Sequence, residues 1–156
     1  MSAGPRNPWL IAGGWLSIAA ALLHLGCIPG GADWYRFFGA GEPIARAAER
    51  GMWTPHLIAA AIAALLGAAA AYAFSGAGMI RRLPLLRTGL VVITMIYLLR
   101  GLVVLAPSVM SRPDLSADFM LWSSLIVLVF GVVYAVGTWR MWPQVRRPVD
   151  AATDVS

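Results

Sequence analysis

The sequence predicts an all-α integral membrane protein: a four-transmembrane-helix bundle with a short interfacial helix in its first outer loop. Three observations predict it. Of 156 residues, 60% are hydrophobic and 12% charged, against about 25% charged in a soluble domain. Four apolar runs are each about 20 residues long, enough to cross a bilayer at about 1.5 Å per residue. The runs are continuously apolar and do not alternate, which excludes a membrane β-barrel. Residues 1–156 read as a single membrane domain.

The first span is expected from Trp9 to Ile28, with Pro8 at its start and Pro29-Gly30-Gly31 at its end. Arg6, this stretch and Leu25-Gly26-Cys27 have the outline of a lipoprotein signal. His24 stands where such signals want a large aliphatic residue, so the stretch is kept as a span. Cys27 is the single cysteine, which excludes an internal disulfide or a dithiol redox pair. A small buried residue near a helix end is its expected role.

The connection from Ala32 to Thr54 is the longest. Asp33-Trp34-Tyr35-Arg36-Phe37-Phe38 mixes aromatics with charges, a composition that favours the lipid headgroup level. Gly39-Ala40-Gly41 reads as a turn. Pro43 to Arg50 reads as a short helix, closed by Gly51. Thr54-Pro55 reads as N-cap and first residue of the second span, from His56 to Phe74. Alanine dominates that span. Ala60, Ala64 and Ala68 form a small-residue ridge expected to pack tightly on another helix, in the bundle or in a membrane partner.

Ser75 to Arg87 is a polar turn. The third span is expected from Thr88 to Ala106 and carries Arg100; Pro107 ends it. Arg112, Pro113, Asp114 and Asp118 fall in the next connection. The fourth span is expected from Phe119 to Thr138, followed by a Trp139-Arg140-Trp142 anchor and a polar tail to residue 156.

Four spans put both termini on one side. Arginines divide seven (Arg6, Arg81, Arg82, Arg87, Arg140, Arg146, Arg147) against four (Arg36, Arg46, Arg50, Arg112). This predicts a bacterial inner-membrane protein with cytoplasmic termini. The net charge of +5 comes from arginines at the ends of apolar runs. Orientation and phospholipid headgroups explain them, and a nucleic-acid partner is not expected. Zinc-ligand spacing, a phosphate loop and a nucleophile elbow are missing from the sequence.

An arginine inside a span costs a few kcal/mol or more, so Arg100 is expected to occupy an interior position with a partner. It lies roughly 10 Å below the outer end of its helix, at a depth close to His24, Ser123 and Ser124. Tyr97 is one turn away on a similar face, and His56 is at the outer lip of the second span. The strongly polar side chains of the spans thus gather in the outer half, with an aliphatic inner half. Arg100 has three options: an ion pair with Glu42, Asp33 or Asp118; an anionic ligand such as a lipid headgroup; or snorkelling to the interface. His24 and His56, on neighbouring helices, raise the further idea of a b-type haem with Arg100 on a propionate.

Gly13-Gly14-Trp15, His24 and the run Asp33 to Glu42 (Asp-Trp-Tyr-Arg-Phe-Phe-Gly-Ala-Gly-Glu) resemble a group of small, uncharacterised four-span proteobacterial inner-membrane proteins. The plan is also similar to that of DoxX-like membrane proteins. Neither likeness implies a reaction or a catalytic residue. The expected function is a non-catalytic accessory or small-ligand or lipid-binding bundle. Its outer-leaflet polar site would comprise Arg100, Tyr97, His24, Glu42, Asp118, Ser123 and Ser124. The rivals are a small redox protein or enzyme with a haem b or quinone near His24, His56, Tyr97 and Arg100, and a subunit of a larger membrane complex.

Overall fold

The computed structural model describes residues 6–102 and 117–142. These form five helices and no strand: α1 (Pro8–Phe37), α2 (Glu42–Glu49), α3 (Thr54–Gly76), α4 (Leu86–Leu102) and α5 (Ala117–Met141). Three of them, α1, α3 and α5, are long and apolar enough to cross a membrane. α4 is described over 17 residues. The expected end of the third span (residues 103–106), Pro107, Arg112, Asp114 and the tail beyond residue 142 lie outside the described residues.

Local chemistry sets each boundary. Asn7 caps α1: its side-chain oxygen accepts from the backbone N–H groups of Trp9 and Leu10, and Pro8 follows at the first helical position. The Asn7 amide also donates to the Gly137 carbonyl at 2.7 Å, tying the start of α1 to the end of α5. The expected stop at Pro29-Gly30-Gly31 is a break in helical geometry. Gly31 takes φ 66° and ψ −158°, which an L side chain rarely adopts, and the chain resumes helix to Phe37. α2 occupies almost the expected residues. α3 starts at Thr54 itself, with Trp53 as N-cap and no side-chain capping bond, so Thr54 is not the cap. Ser75 stitches the following turn: its hydroxyl donates to the Arg81 carbonyl and accepts from the Leu83 N–H.

Packing follows chain order with one exchange. α1 lies along α3, α4 along α5, α5 also on α1, and α3 on α4, while α2 rests on α1 and α3. A first core, on the side of the N-terminus, gathers Leu10, Ala73, Ala77, Leu90, Tyr97, Tyr134 and Met141. A second, beneath α2, gathers Cys27, Tyr35, Ala45 and Ala59; Cys27 is the small buried residue expected of it.

The alanines that pack within the bundle are not Ala60, Ala64 and Ala68. Ala59, Ala63, Ala70, Ala73 and Ala77 are buried, whereas Ala60, Ala64 and Ala68 are exposed. One residue along a helix is a rotation of about 100°. The buried set meets α1, and the neighbouring set faces outward. Leu57, Leu65, Ile96, Leu99 and Val129 are more than half exposed. A solvent for so much outward apolar surface is lipid.

Candidate functional site

α1, α3, α4 and α5 each contribute one group to a buried polar cluster in the centre. The Ser17 hydroxyl of α1 lies 3.0 Å from the Tyr97 hydroxyl of α4 and 2.8 Å from the Tyr134 hydroxyl of α5. Tyr134 donates to the Ala69 carbonyl of α3 at 3.1 Å. Proton counting then fixes every direction. A carbonyl only accepts, so the single proton of Tyr134 is used there. Ser17 therefore donates to Tyr134, and Tyr97 donates to Ser17. Every hydroxyl proton has an acceptor. Tyr134 and Ser17 are wholly buried, and the Tyr97 ring packs on those of Phe130 and Tyr134.

Sequence reasoning placed Tyr97 beside Arg100 and missed Ser17 and Tyr134. It also expected an aliphatic inner half. The cluster lies roughly 10–16 Å from the helix ends on the N-terminal side, so that expectation is corrected. Tyr97 and Arg100 diverge because three residues turn a helix about 300°, which leaves them on different flanks. Tyr97 faces the centre, and Arg100 is exposed. The expected interior position of Arg100 is likewise corrected.

Arg100 and Ser124 do meet. The Arg100 Nη1 lies 3.5 Å from the Oγ of Ser124, which is fully buried. Close approach of the two helices makes this reach possible. A Cβ on Gly101 would stand 2.8 Å from the backbone N and Cα of Leu128, so α4 and α5 touch backbone to backbone there.

Glu42 is not the partner of Arg100. It accepts from Arg36 (3.0 Å) and from Arg46 (3.0 Å), and Arg36 also reaches Glu49 (2.6 Å) and Asp33 (3.4 Å). These hydrogen bonds from Arg36, then Arg46, hold the Glu42 carboxyl down at about 2. The network clamps α2 to the end of α1. Gly39 completes the clamp: its φ is +70°, and the Phe119 ring occupies the place of a Cβ. Asp118 stands exposed in the first turn of α5, where a carboxylate suits the helix dipole. Among the described residues no carboxylate forms an ion pair with Arg100.

The other expected residues have local partners. His24 Nδ1 donates to the Ala20 carbonyl of its own helix at 2.8 Å. His56 Nδ1 lies 3.1 Å from the hydroxyl of buried Tyr35, with Trp53 edge-on to its ring. The two rings are thus engaged separately, one within α1 and one in the core beneath α2. Ser123 donates to the Met120 carbonyl at 3.2 Å. Of the seven residues expected at one site, Arg100 and Ser124 are the pair joined by a side-chain hydrogen bond among the described residues.

A signal for Ser17 exists in the sequence. Gly13, Ser17 and Ala21 repeat at four-residue spacing, and all three are buried. Small residues at that spacing mark a face where helices approach closely. A Cβ on Gly13 would stand 2.8 Å from the Tyr134 ring, so this face gives Tyr134 its room. No protein-family model matches the chain, and neither does any curated protein or any solved structure.

Proposed function

We propose that the chain is a four-span bundle of a bacterial inner membrane, with both termini cytoplasmic, and that it serves as a non-catalytic binding or accessory protein. Its ligand is anionic, a small molecule or a lipid headgroup, and is received on the outer side by Arg100. One observation carries this reading. The Arg100 guanidinium is exposed beside a neutral hydroxyl, Ser124, while Glu42 and Glu49 are held by Arg36 and Arg46. An intramembrane arginine whose acceptor among the described residues is a weak neutral one retains most of its capacity for an anion.

The central cluster supports the non-catalytic part. Each of its hydroxyl protons is committed to an acceptor, as in a structural network that ties helices together. The likeness to small four-span proteobacterial proteins belongs to the same reading.

The test is native mass spectrometry of the full chain released from mild detergent, comparing wild type with Arg100→Gln. An anionic adduct on wild type that is lost in the variant, at unchanged thermal stability, is the expected result. No adduct on wild type, or an adduct retained by the variant, overturns it. Reporter fusions at residue 40 and at the C-terminus test the topology; cytoplasmic reporter activity at residue 40 rejects it.

A second reading, a subunit of a larger assembly, is favoured by the outward Ala60, Ala64 and Ala68. Cross-linking from cysteines placed at these positions distinguishes it, since a partner gives a discrete adduct and lipid gives none.

A further inference from the structure

The N-terminal side of the molecule carries a groove and an adjoining cavity. The groove, of about 540 Å³, opens between α4 and α5, with Val91, Met95 and Ala135 along its floor and Thr138, Trp139 and Trp142 toward the helix ends. Its lining is apolar apart from the hydroxyls of Thr94 and Thr138 and the indole N–H groups of Trp139 and Trp142. The Thr138 hydroxyl is buried and has no hydrogen-bond partner among the described residues. Thr94, also on the groove, satisfies itself on the Leu90 carbonyl at 2.7 Å, so the orphan is specific to Thr138. A buried hydroxyl without a partner costs free energy, and because Oγ1 has no surface open to solvent it meets an acceptor from outside the chain only after a χ1 rotation turns it into the groove.

Beside the groove lies a cavity of about 500 Å³ that includes Arg82 and Arg87. The Arg87 guanidinium sits 5.4 Å above the Trp142 ring, which joins the cavity to the groove. Arg82 and Arg87 line this cavity, and Arg81 and Arg140 lie at the same end of the helices. Among the described residues it carries no acid: neither 72–90 nor 119–142 contains Asp or Glu.

We propose that the groove and cavity together bind one anionic glycerophospholipid. The phosphate lies on Arg87 and Arg82, an ester carbonyl accepts from Thr138 Oγ1, and an acyl chain runs along Val91, Met95 and Ala135. Depth supports the assignment. Thr138 is three residues from the end of α5, about 4–5 Å in, whereas Arg87 is at the very start of α4. Ester carbonyls lie just beneath phosphates in a bilayer, in that same order. An ester oxygen is acceptor-only and needs what Thr138 offers. Exposed Trp139 and Trp142 suit the same interfacial level.

The experiment measures the lipid-dependent stability of the purified full chain in neutral detergent. The probes are phosphatidylglycerol, phosphatidylethanolamine and inorganic phosphate, with stoichiometry by native mass spectrometry. Wild type is expected to hold one phosphatidylglycerol and to gain stability from it, with little response to phosphatidylethanolamine or free phosphate. Thr138→Val is expected to be at least as stable as wild type without lipid, because the orphan is gone, yet to bind phosphatidylglycerol about 3–10-fold more weakly. Arg87→Gln is expected to weaken it by about 10-fold or more. Arg100→Gln leaves it unchanged, which separates this site from the outer one. Equal binding of the two lipids by wild type, or unaltered binding in both Thr138→Val and Arg87→Gln, overturns the proposal. So does a loss of lipid-free stability in Thr138→Val, since the hydroxyl would then have a protein partner.

Discussion

The Ser17 hydroxyl lies 2.8 Å from the Tyr134 hydroxyl, and a third helix fixes the direction of that bond. Because Tyr134 donates to the Ala69 carbonyl, Ser17 must donate to Tyr134 and accept from Tyr97. A chain of three donors ending on one carbonyl joins four helices. Its polarity makes the consequences of deletion unequal.

Tyr97→Phe removes the first donor and strands no proton, since Ser17 loses only an incoming bond. Ser17→Ala strands the Tyr97 proton in a buried site. Tyr134→Phe strands the Ser17 proton and also uncovers the Ala69 carbonyl. The expected destabilisation is smallest for Tyr97→Phe, at about 0.5–1 kcal/mol, and about 1–3 kcal/mol for each of the other two. Adding Tyr97→Phe to Ser17→Ala should restore part of the loss. Denaturant unfolding in detergent micelles measures all four. A Tyr97→Phe cost exceeding that of Ser17→Ala would mean that the bonds run in the opposite direction.

Acid should loosen the cap before the spans. The Glu42 carboxyl is depressed from 4.5 to about 2 by its bonds to Arg36 and Arg46. A folded-state value below the unfolded one contributes stability that is present above about pH 4.5. It is lost as pH falls toward about 2. These groups are exposed, so solvent screening keeps the effect small and local to α2. Amide hydrogen exchange, compared at pH 5 and pH 3 after correction for intrinsic rates, should show α2 losing protection while α3 keeps it. Glu42→Gln should already exchange fast at pH 5 and lack the pH step.

How much of this was legible follows from what makes a residue conspicuous. Arg100 stands out because a charge interrupts an apolar run, and its approach to Ser124 was within reach of depth counting. The short α2 was readable from Pro43 and Gly51, and the apolar character of α1, α3 and α5 from their runs. Ser17 among alanines and Tyr134 among valines cost little in a span, so neither looks anomalous. Their meaning arises only when α1, α4 and α5 converge. Periodicity also left the rotation of α3 open: alanines at 59 and 63 and alanines at 60 and 64 give the same pattern one position apart. The Gly31 break was visible as a stop, but the sequence did not show helix resuming beyond it.

The two histidines should respond differently to loss. His24 bonds to a carbonyl of its own helix, which has its ordinary backbone role without it. His24→Leu is expected to shift stability by less than about 0.5 kcal/mol. His56 accounts for the hydroxyl of Tyr35, which is 3% exposed. His56→Phe leaves that hydroxyl buried without its partner, at about 1–3 kcal/mol. Because Tyr35 sits in the core shared with Ala45, the loss should appear first as faster exchange in α2. His56→Phe combined with Tyr35→Phe should recover much of it; a double variant no better than the single would detach the effect from this hydrogen bond.

Gly101 and Gly67 make the sharpest paired test of helix approach. Both are helical glycines in apolar runs, and composition alone treats them alike. A Cβ on Gly67 meets nothing within 4 Å, so Gly67→Ala gains helix propensity at no steric cost and should stabilise by about 0.5–1 kcal/mol. A Cβ on Gly101 meets the N and Cα of Leu128 at 2.8 Å, and backbone cannot rotate away as a side-chain tip can. Gly101→Ala must push α4 from α5, at an expected cost of about 1–3 kcal/mol. The displacement falls one residue from Arg100, whose contact with Ser124 is already at 3.5 Å, so the same variant should break that contact. Unfolding in detergent reads the stabilities. Cross-linking with a spacer reagent between cysteines introduced at exposed Leu99 and Val129, on α4 and α5, reads the separation without placing a Cβ in the seam. If Gly101→Ala unfolds and cross-links like wild type, the two backbones do not touch at Leu128, and the support for Arg100 beside Ser124 fails with them.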